Sequence, residues 1–243
     1  MSTGDSKLHT EEIEYRHGEA VLEGHLVYDE GRAGRRPGVL IVHDWSGLGP
    51  QVRKRAAMLA GAGYVAFAID MYGKGNRPAS MEEMRKFTTA FRADRPLMRS
   101  RAAAGLDVLR GSGRCNGRCA AIGYCFGGLT ALELARSGAD LAGVVSFHGS
   151  LDTPNPSDAC SIRGKILVCH GADDPHVPPE QTAAFMQEMR DAKADWQMVL
   201  YGGAMHSFAV PGANMPERGL QYNEAADRRS WQAMLDFFGE VLA

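Results

Sequence analysis

Cys125, Asp174 and His206 are the residues whose types, order and spacing could do chemistry. Cys125 lies in Gly123-Tyr124-Cys125-Phe126-Gly127, a G-x-C-x-G turn between an apolar run and a segment of helical spacing. That is the nucleophile-elbow pattern with cysteine where serine is usual. The flanking glycines let neighbouring backbone approach a tight, strained turn. A helix that starts directly after the turn aims its first N–H groups at the thiol, which favours thiolate and can stabilise an oxyanion. Such a nucleophile needs an acid and a base later in the chain, in the order nucleophile, Asp or Glu, His. The segment Gly171-Ala172-Asp173-Asp174-Pro175-His176-Val177-Pro178 has the form G-x-x-D-x-x-V-P and selects Asp174, with adjacent Asp173 as the alternative. His206 is the only histidine beyond residue 176 and is the natural base. The chemistry would be covalent acyl transfer: Cys125 attacks, His206 takes its proton and later activates water, and Asp174 fixes the imidazole tautomer.

The elements needed to position these groups can be read around them. Two extended runs, Glu12–Arg16 and Ala20–Tyr28, are split by a turn at His17–Glu19 and predict an antiparallel hairpin. Glu30–Pro37 is rich in Gly and Arg and reads as a loop. Continuous apolar runs follow at Gly38–His43 and Tyr64–Ile69, as expected of strands covered on both faces. Further strands are expected at Cys119–Tyr124, Leu141–Phe147, Lys165–His170 and Trp196–Tyr201. Helices are expected at Val52–Ala62, Arg99–Arg110, Gly127–Ser137, Pro179–Ala192 and Glu224–Leu242. Ser80 with Glu83 forms a capping box for another helix, so Arg77–Arg99 reads as a small helical excursion. Alternating strands and helices predict an α/β fold, a single domain over 1–243. Its sheet would be twisted and mostly parallel, with the N-terminal hairpin at one edge and helices on both faces. Ligands bind such sheets beyond the strand carboxyl ends, where Cys125, Asp174 and His206 all fall.

Composition narrows the function. The chain has 243 residues, 27 Lys plus Arg and 29 Asp plus Glu, a net charge of −2 that argues against nucleic acid as the main partner. No apolar run approaches the ~20 residues of a membrane span, so no membrane partner is expected. The start, MSTGDSKLHTEE, lacks the apolar core of a signal peptide. Five cysteines, an odd number, suit a reduced, cytoplasmic location. Cys115 and Cys119 are four apart, but no second Cys/His pair completes a zinc site. Neither a metal nor an organic cofactor is expected.

These motifs closely resemble the dienelactone hydrolase (carboxymethylenebutenolidase) family of the α/β-hydrolase superfamily. The resemblance rests on GYCFGG at 123–128, GADDPHVP at 171–178 and GAMHSF at 203–208, with VHDWSGLG at 42–49 and IDMYGKG at 69–75 as smaller signals. It covers the chain from about residue 20 and implies an α/β-hydrolase fold and hydrolysis of lactones or esters. It places the family's triad on Cys125, Asp174 and His206. It places the oxyanion-hole amides on Phe126 and Trp45, and Asp44 where the family has a glutamate that modulates the resting thiol. Where the best-studied branch grips a substrate carboxylate with two arginines, this chain has Lys74 and Val210. A lysine and a valine do not replace a bidentate arginine clamp, which points away from dienelactone itself. Tyr72, Lys74, His148 and Phe208 are candidate substrate contacts, with Arg77 or Arg95 as anion contacts.

The expected partner is therefore a small lactone or activated ester, met by a monomer or small homo-oligomer. Two other readings stay open at this stage. A thioesterase or small peptidase could use the same scaffold. A non-catalytic thiol sensor could use Cys125 alone, although it would have no need of Asp174 and His206.

Overall fold

The structure, a computed structural model, describes residues 7–243. The described residues divide into two compact units, with the boundary between residues 120 and 121.

In the first unit, β1 (Leu8–His17) and β2 (Ala20–Asp29) form the expected hairpin, with Tyr15 opposite Leu22. The chain continues through β3 (Arg36–Val42), α1 (Pro50–Gly61) and β4 (Val65–Ile69). β3 and β4 pair in parallel, Leu40 beside Phe67, while β2 pairs antiparallel with β4. Residues 39–42 and 65–69 are fully buried, which explains their uninterrupted apolar sequence. β3 begins at Arg36, inside the segment expected to be a loop. Arg36 N–H donates to Arg114 O (2.9 Å) and its guanidinium to Asp29 O (2.7 Å), so an arginine that reads as a loop residue is held in extended backbone.

α2 (Met81–Ala93) starts at Ser80, whose Oγ accepts from Glu83 N–H (3.2 Å). Glu83 reaches back to Ala79 N–H (2.7 Å), one residue before the cap, so the reciprocal bond of the capping box is displaced by one position. α3 (Arg95–Gly111) starts four residues earlier than its apolar spacing suggests. Asp94 caps it by accepting from Leu97 N–H (2.9 Å), and Pro96 occupies the first turn, where its missing N–H costs nothing.

β5 (Cys115–Tyr124) runs through the boundary at 120. In the second unit it leads into α4 (Phe126–Arg136), β6 (Gly143–Phe147), β7 (Lys165–Gly171), α5 (Pro179–Asp191) and β8 (Trp196–Tyr201). β6, β7 and β8 pair in parallel, Phe147 beside Cys169 and Cys169 beside Val199. A two-stranded ribbon, β9 (Asn214–Met215) with β10 (Leu220–Gln221), precedes α6 (Glu224–Val241). Every residue of α4 is buried. The end of α4 is fixed by Arg136, whose guanidinium bonds Glu188 (2.7 and 2.8 Å), Glu133 (3.0 Å) and Leu151 O (3.0 Å). A buried arginine tolerates this only because its donors are met by carboxylates and a carbonyl. This anchors the helix whose other end carries the candidate nucleophile.

The sheet order is β1-β2-β4-β3-β5-β6-β7-β8, eight strands, mostly parallel, with the hairpin at one end. Among the described residues no helix is long and apolar enough to cross a membrane.

Candidate active site

Cys125 sits between β5 and α4 at φ 54° and ψ −115°, a left-handed backbone for a residue with a side chain. Such a conformation costs about 1–3 kcal/mol and persists only where the surroundings over-determine it. Here Cys125 N–H donates to Phe147 O (3.0 Å), and Cys125 O accepts from Gly128 N–H (3.0 Å) and Leu129 N–H (3.2 Å). A Cβ at Gly123 would lie 2.0 Å from Gly127 O, so the first motif glycine is required by backbone that cannot move aside. Phe126 opens α4, whose N-terminal end carries the positive pole of the helix dipole.

Two loops beyond β7 and β8 bring up the other candidates. Backbone bonds zip them together, Ala172 N–H to Tyr201 O and Asp173 N–H to Ala204 O, both 3.0 Å. Asp174 Oδ1 accepts from His176 N–H (2.8 Å), which leaves Oδ2 to accept from His206 Nδ1 (2.8 Å). His206 Nε2 then lies 3.1 Å from Cys125 Sγ. The carboxylate fixes the tautomer, with Nδ1 as donor and Nε2 facing the sulfur. Asp173 is exposed and offers only its backbone to this arrangement, so the geometry selects Asp174 of the two.

Burial alone would push the His206 imidazole down. The negative charge at Cys125 and the Asp174 carboxylate override it and push the group up to about 10. For Asp174, burial would raise the carboxyl, but the bonds from His206 and His176 N–H hold it below its usual value. The linkage signs are opposite. His206, raised, adds stability that is complete below pH 6.5 and fades as pH rises toward about 10. Asp174, lowered, adds stability above its ordinary value that is lost as pH falls through the folded one.

Several supports for His206 were not read from the sequence. The β9–β10 ribbon holds it through a bridge to Leu220 and through Gln221 N–H donating to His206 O (3.0 Å). His176 stands edge-on to His206 with ring centres 5.0 Å apart, and its Nε2 donates to Arg218 O (2.8 Å). His176 lies within the quoted 171–178 motif, two residues after the acid, the position from which a backbone N–H commonly bonds an aspartate side chain. Strands of two residues leave no periodic signal, so the ribbon was invisible.

The other candidates divide by environment. His148 is fully buried at φ 40°, edge-on to His206 (5.2 Å) and Phe208 (5.3 Å). Phe208 is also fully buried, packed on His148 and Tyr201. His148 thus packs directly on the His206 imidazole, and Phe208 packs on His148. In the first unit, Asp44 Oδ1 accepts from Ser46 N–H (2.7 Å) and Ser46 Oγ (2.5 Å), which shapes the turn containing Trp45. Tyr72 donates its hydroxyl to Trp45 O (3.0 Å), and its ring stacks on Phe87 of α2 (4.4 Å) and meets His43 edge-on (4.7 Å). Lys74 is paired with Glu14 (2.8 Å) and Glu23 (3.0 Å), so its charge is already compensated. Arg77 donates to Asn76 O (3.0 Å) and lies 4.0 Å from Asp70, and Arg95 is buried with its guanidinium against Met98 Sδ.

A mostly parallel eight-stranded α/β sheet with a cysteine elbow after β5, an aspartate after β7 and a histidine after β8 has the fold of an α/β hydrolase. The Dienelactone hydrolase family matches residues 22–242, and the chain belongs to that family of hydrolases. The solved structure named m3DLH is 44% identical, with a TM-score of 0.94 covering 97% of this chain and 99% of that one. A dienelactone hydrolase-like promiscuous phosphotriesterase from metagenomic libraries is 40% identical, with a TM-score of 0.93 and the same coverage, 97% and 99%. A Salmonella typhimurium protein provisionally named a carboxymethylenebutenolidase is 28% identical over 222 residues, 85% of this chain and 78% of that protein.

Proposed function

We propose that the protein hydrolyses small lactones or activated carboxylic esters through a thioacyl-enzyme formed on Cys125, acting in the reducing cytoplasm. The observation that carries this reading is the continuous relay Asp174 Oδ2 to His206 Nδ1 (2.8 Å) and His206 Nε2 to Cys125 Sγ (3.1 Å). The thiolate attacks the carbonyl carbon while His206 holds the proton as imidazolium. The tetrahedral oxyanion is met by the backbone N–H of Phe126 at the head of α4. Collapse expels the alcohol or enolate, to which His206 gives its proton. His206 then takes a proton from water, and the hydroxide so formed releases the acid. Asp44 has its carboxylate engaged by Ser46 and shapes the Trp45 turn, and Tyr72 holds that turn from the other side.

The test is rapid mixing with p-nitrophenyl acetate. The expected result is a burst of one p-nitrophenolate per active site, with one acetyl group on the Cys125 peptide. An acetyl group on another residue, or turnover with no burst and Cys125 never modified, overturns the mechanism. The 40%-identical phosphotriesterase favours a second substrate class at the same thiol, so a p-nitrophenyl phosphotriester belongs in the same assay. Turnover of the phosphotriester with none of the ester or of a lactone panel would replace the first reading with the second.

The pH profile gives an independent check. His206 keeps its proton until about pH 10, so the alkaline limb of kcat/KM should fall in that region. Asp174→Asn removes a hydrogen-bond acceptor and a negative charge that both favour the imidazolium. The limb should then move to lower pH, together with a loss of rate. An unmoved limb would mean that Asp174 does not govern His206.

A further inference from the structure

Two thiols outside the active site are in contact. Cys115 Sγ and Cys119 Sγ are 3.6 Å apart, both buried, near the start of β5. In an extended strand, residues four apart are separated by roughly 13 Å. Contact between their sulfurs therefore requires the chain to buckle between them. It does so at Asn116–Arg118: Gly117 has φ 94°, and Asn116 Oδ1 accepts from Arg118 N–H (2.9 Å). Those three residues are exposed, so the turn that joins the two cysteines lies at the surface.

The surroundings treat the two sulfurs differently. Cys115 Sγ accepts from the Cys119 thiol, from Gly117 N–H (3.4 Å) and from Gly38 N–H, with Arg110 near enough to act through its charge. These bonds pull Cys115 down to about 6, while Cys119, which gives its proton to that bond, is pushed up. The amide donors favour thiolate on Cys115, and Cys119, 3.6 Å away, sits in position to resolve whatever forms on it. A pair held only for packing needs no amide donors aimed at one sulfur.

We propose that Cys115 and Cys119 are a reversible disulfide site, oxidised by a hydroperoxide and reduced by a thiol. Cys115 thiolate attacks one peroxide oxygen and the O–O bond breaks. This gives a sulfenic acid on Cys115, and the departing hydroxide (for hydrogen peroxide) is protonated to water. Cys119 sulfur then attacks the Cys115 sulfur and expels hydroxide, which takes the Cys119 proton and leaves as a second water. Two thiols are oxidised by two electrons and one peroxide is reduced. Two equivalents of a monothiol, or one dithiol, restore the pair by exchange. Nothing in this step passes through the Cys125 site, so the proposal stands apart from the hydrolytic reading.

The test uses whole protein treated with hydrogen peroxide, then denatured in N-ethylmaleimide, cut with trypsin and mapped by mass. Trypsin cuts after Arg114 and Arg118, which places Cys115 and Cys119 on separate peptides. The second peptide also carries Cys125, so the same treatment is applied to Cys125→Ser protein, where Cys119 is its one thiol. The expected result in both proteins is that Cys115 and Cys119 lose maleimide labelling together, with their peptides joined and separated again by dithiothreitol. In Cys119→Ser protein, Cys115 should stop at a sulfenic acid trapped by dimedone. Full maleimide labelling of both residues at a dose that oxidises Cys125, or linkage of Cys115 to Cys125 or Cys160 instead, overturns the proposal.

Discussion

Replacing Cys125 with alanine is expected to lower kcat/KM for an activated ester by roughly 10⁴–10⁶-fold, the range seen when a triad nucleophile is removed. The effect should fall on chemistry and spare the fold. Alanine keeps the Cβ, so the strained φ of 54° is retained, and the bonds from Cys125 N–H and to Cys125 O are made by backbone atoms. Thermal unfolding should therefore change little while turnover disappears. Serine at the same position is the sharper probe. Its oxygen would occupy nearly the same place facing His206 Nε2, but a hydroxyl holds its proton far more tightly than a thiol. The imidazolium–thiolate pair is then replaced by a neutral hydrogen bond. Cys125→Ser should keep a small residual rate above that of Cys125→Ala and lose reactivity to iodoacetamide at this position. Steady-state kinetics with p-nitrophenyl acetate, beside a melting curve, decides. Hydrolysis at the parental rate in the alanine variant would place the nucleophile elsewhere.

What could be read from the sequence follows from where the constraint lies. Cys125, Asp174 and His206 were legible as a candidate group because their types occur in the required order after expected strands, of which the end of β5 and β7 are buried while β8 is largely half-exposed. The central strands were legible because burial on both faces leaves them continuously apolar, and the start of α2 because Ser80 caps it. Features set by geometry were not legible. Cys115 and Cys119 read as ordinary thiols because a spacing of four says nothing of a buckle at Gly117. Lys74 stands where the resemblance places a substrate-binding arginine, but its pairing with Glu14 and Glu23 of the hairpin, distant in sequence, could not be read. Phe208 and His148, candidate substrate contacts in the sequence, are completely buried, with His148 edge-on to His206 and Phe208 edge-on to His148, contacts that no spacing in the sequence reveals. The ribbon at 214–221 that supports the His206 backbone leaves no pattern in the sequence, because its strands are two residues long.

His206→Ala should cost as much as Cys125→Ala, roughly 10⁴–10⁶-fold in kcat/KM, and the double variant should be hardly worse than either single one. Non-additivity follows from the geometry, because each partner holds the other in its reactive state. The imidazole is buried, which by itself disfavours its charge, yet it is pushed up to about 10 by the charge on Cys125 and by Asp174. Removing the ring removes the cation that faces Sγ at 3.1 Å and the hydrogen-bonded link between the sulfur and the Asp174 carboxylate. Cys125 then has neither a proton acceptor for attack nor a proton donor for the leaving group. Two readouts separate this from simple disruption of the loop. Iodoacetamide should alkylate Cys125 more slowly at neutral pH in the variant, and added imidazole should restore part of the ester hydrolysis by entering the vacated space. The backbone support of the loop, Gln221 N–H to His206 O, does not depend on the side chain and should survive the substitution. If Cys125→Ala and His206→Ala were instead to multiply in the double variant, the two residues would be acting independently, and the relay through Nε2 would not be the path taken by the proton.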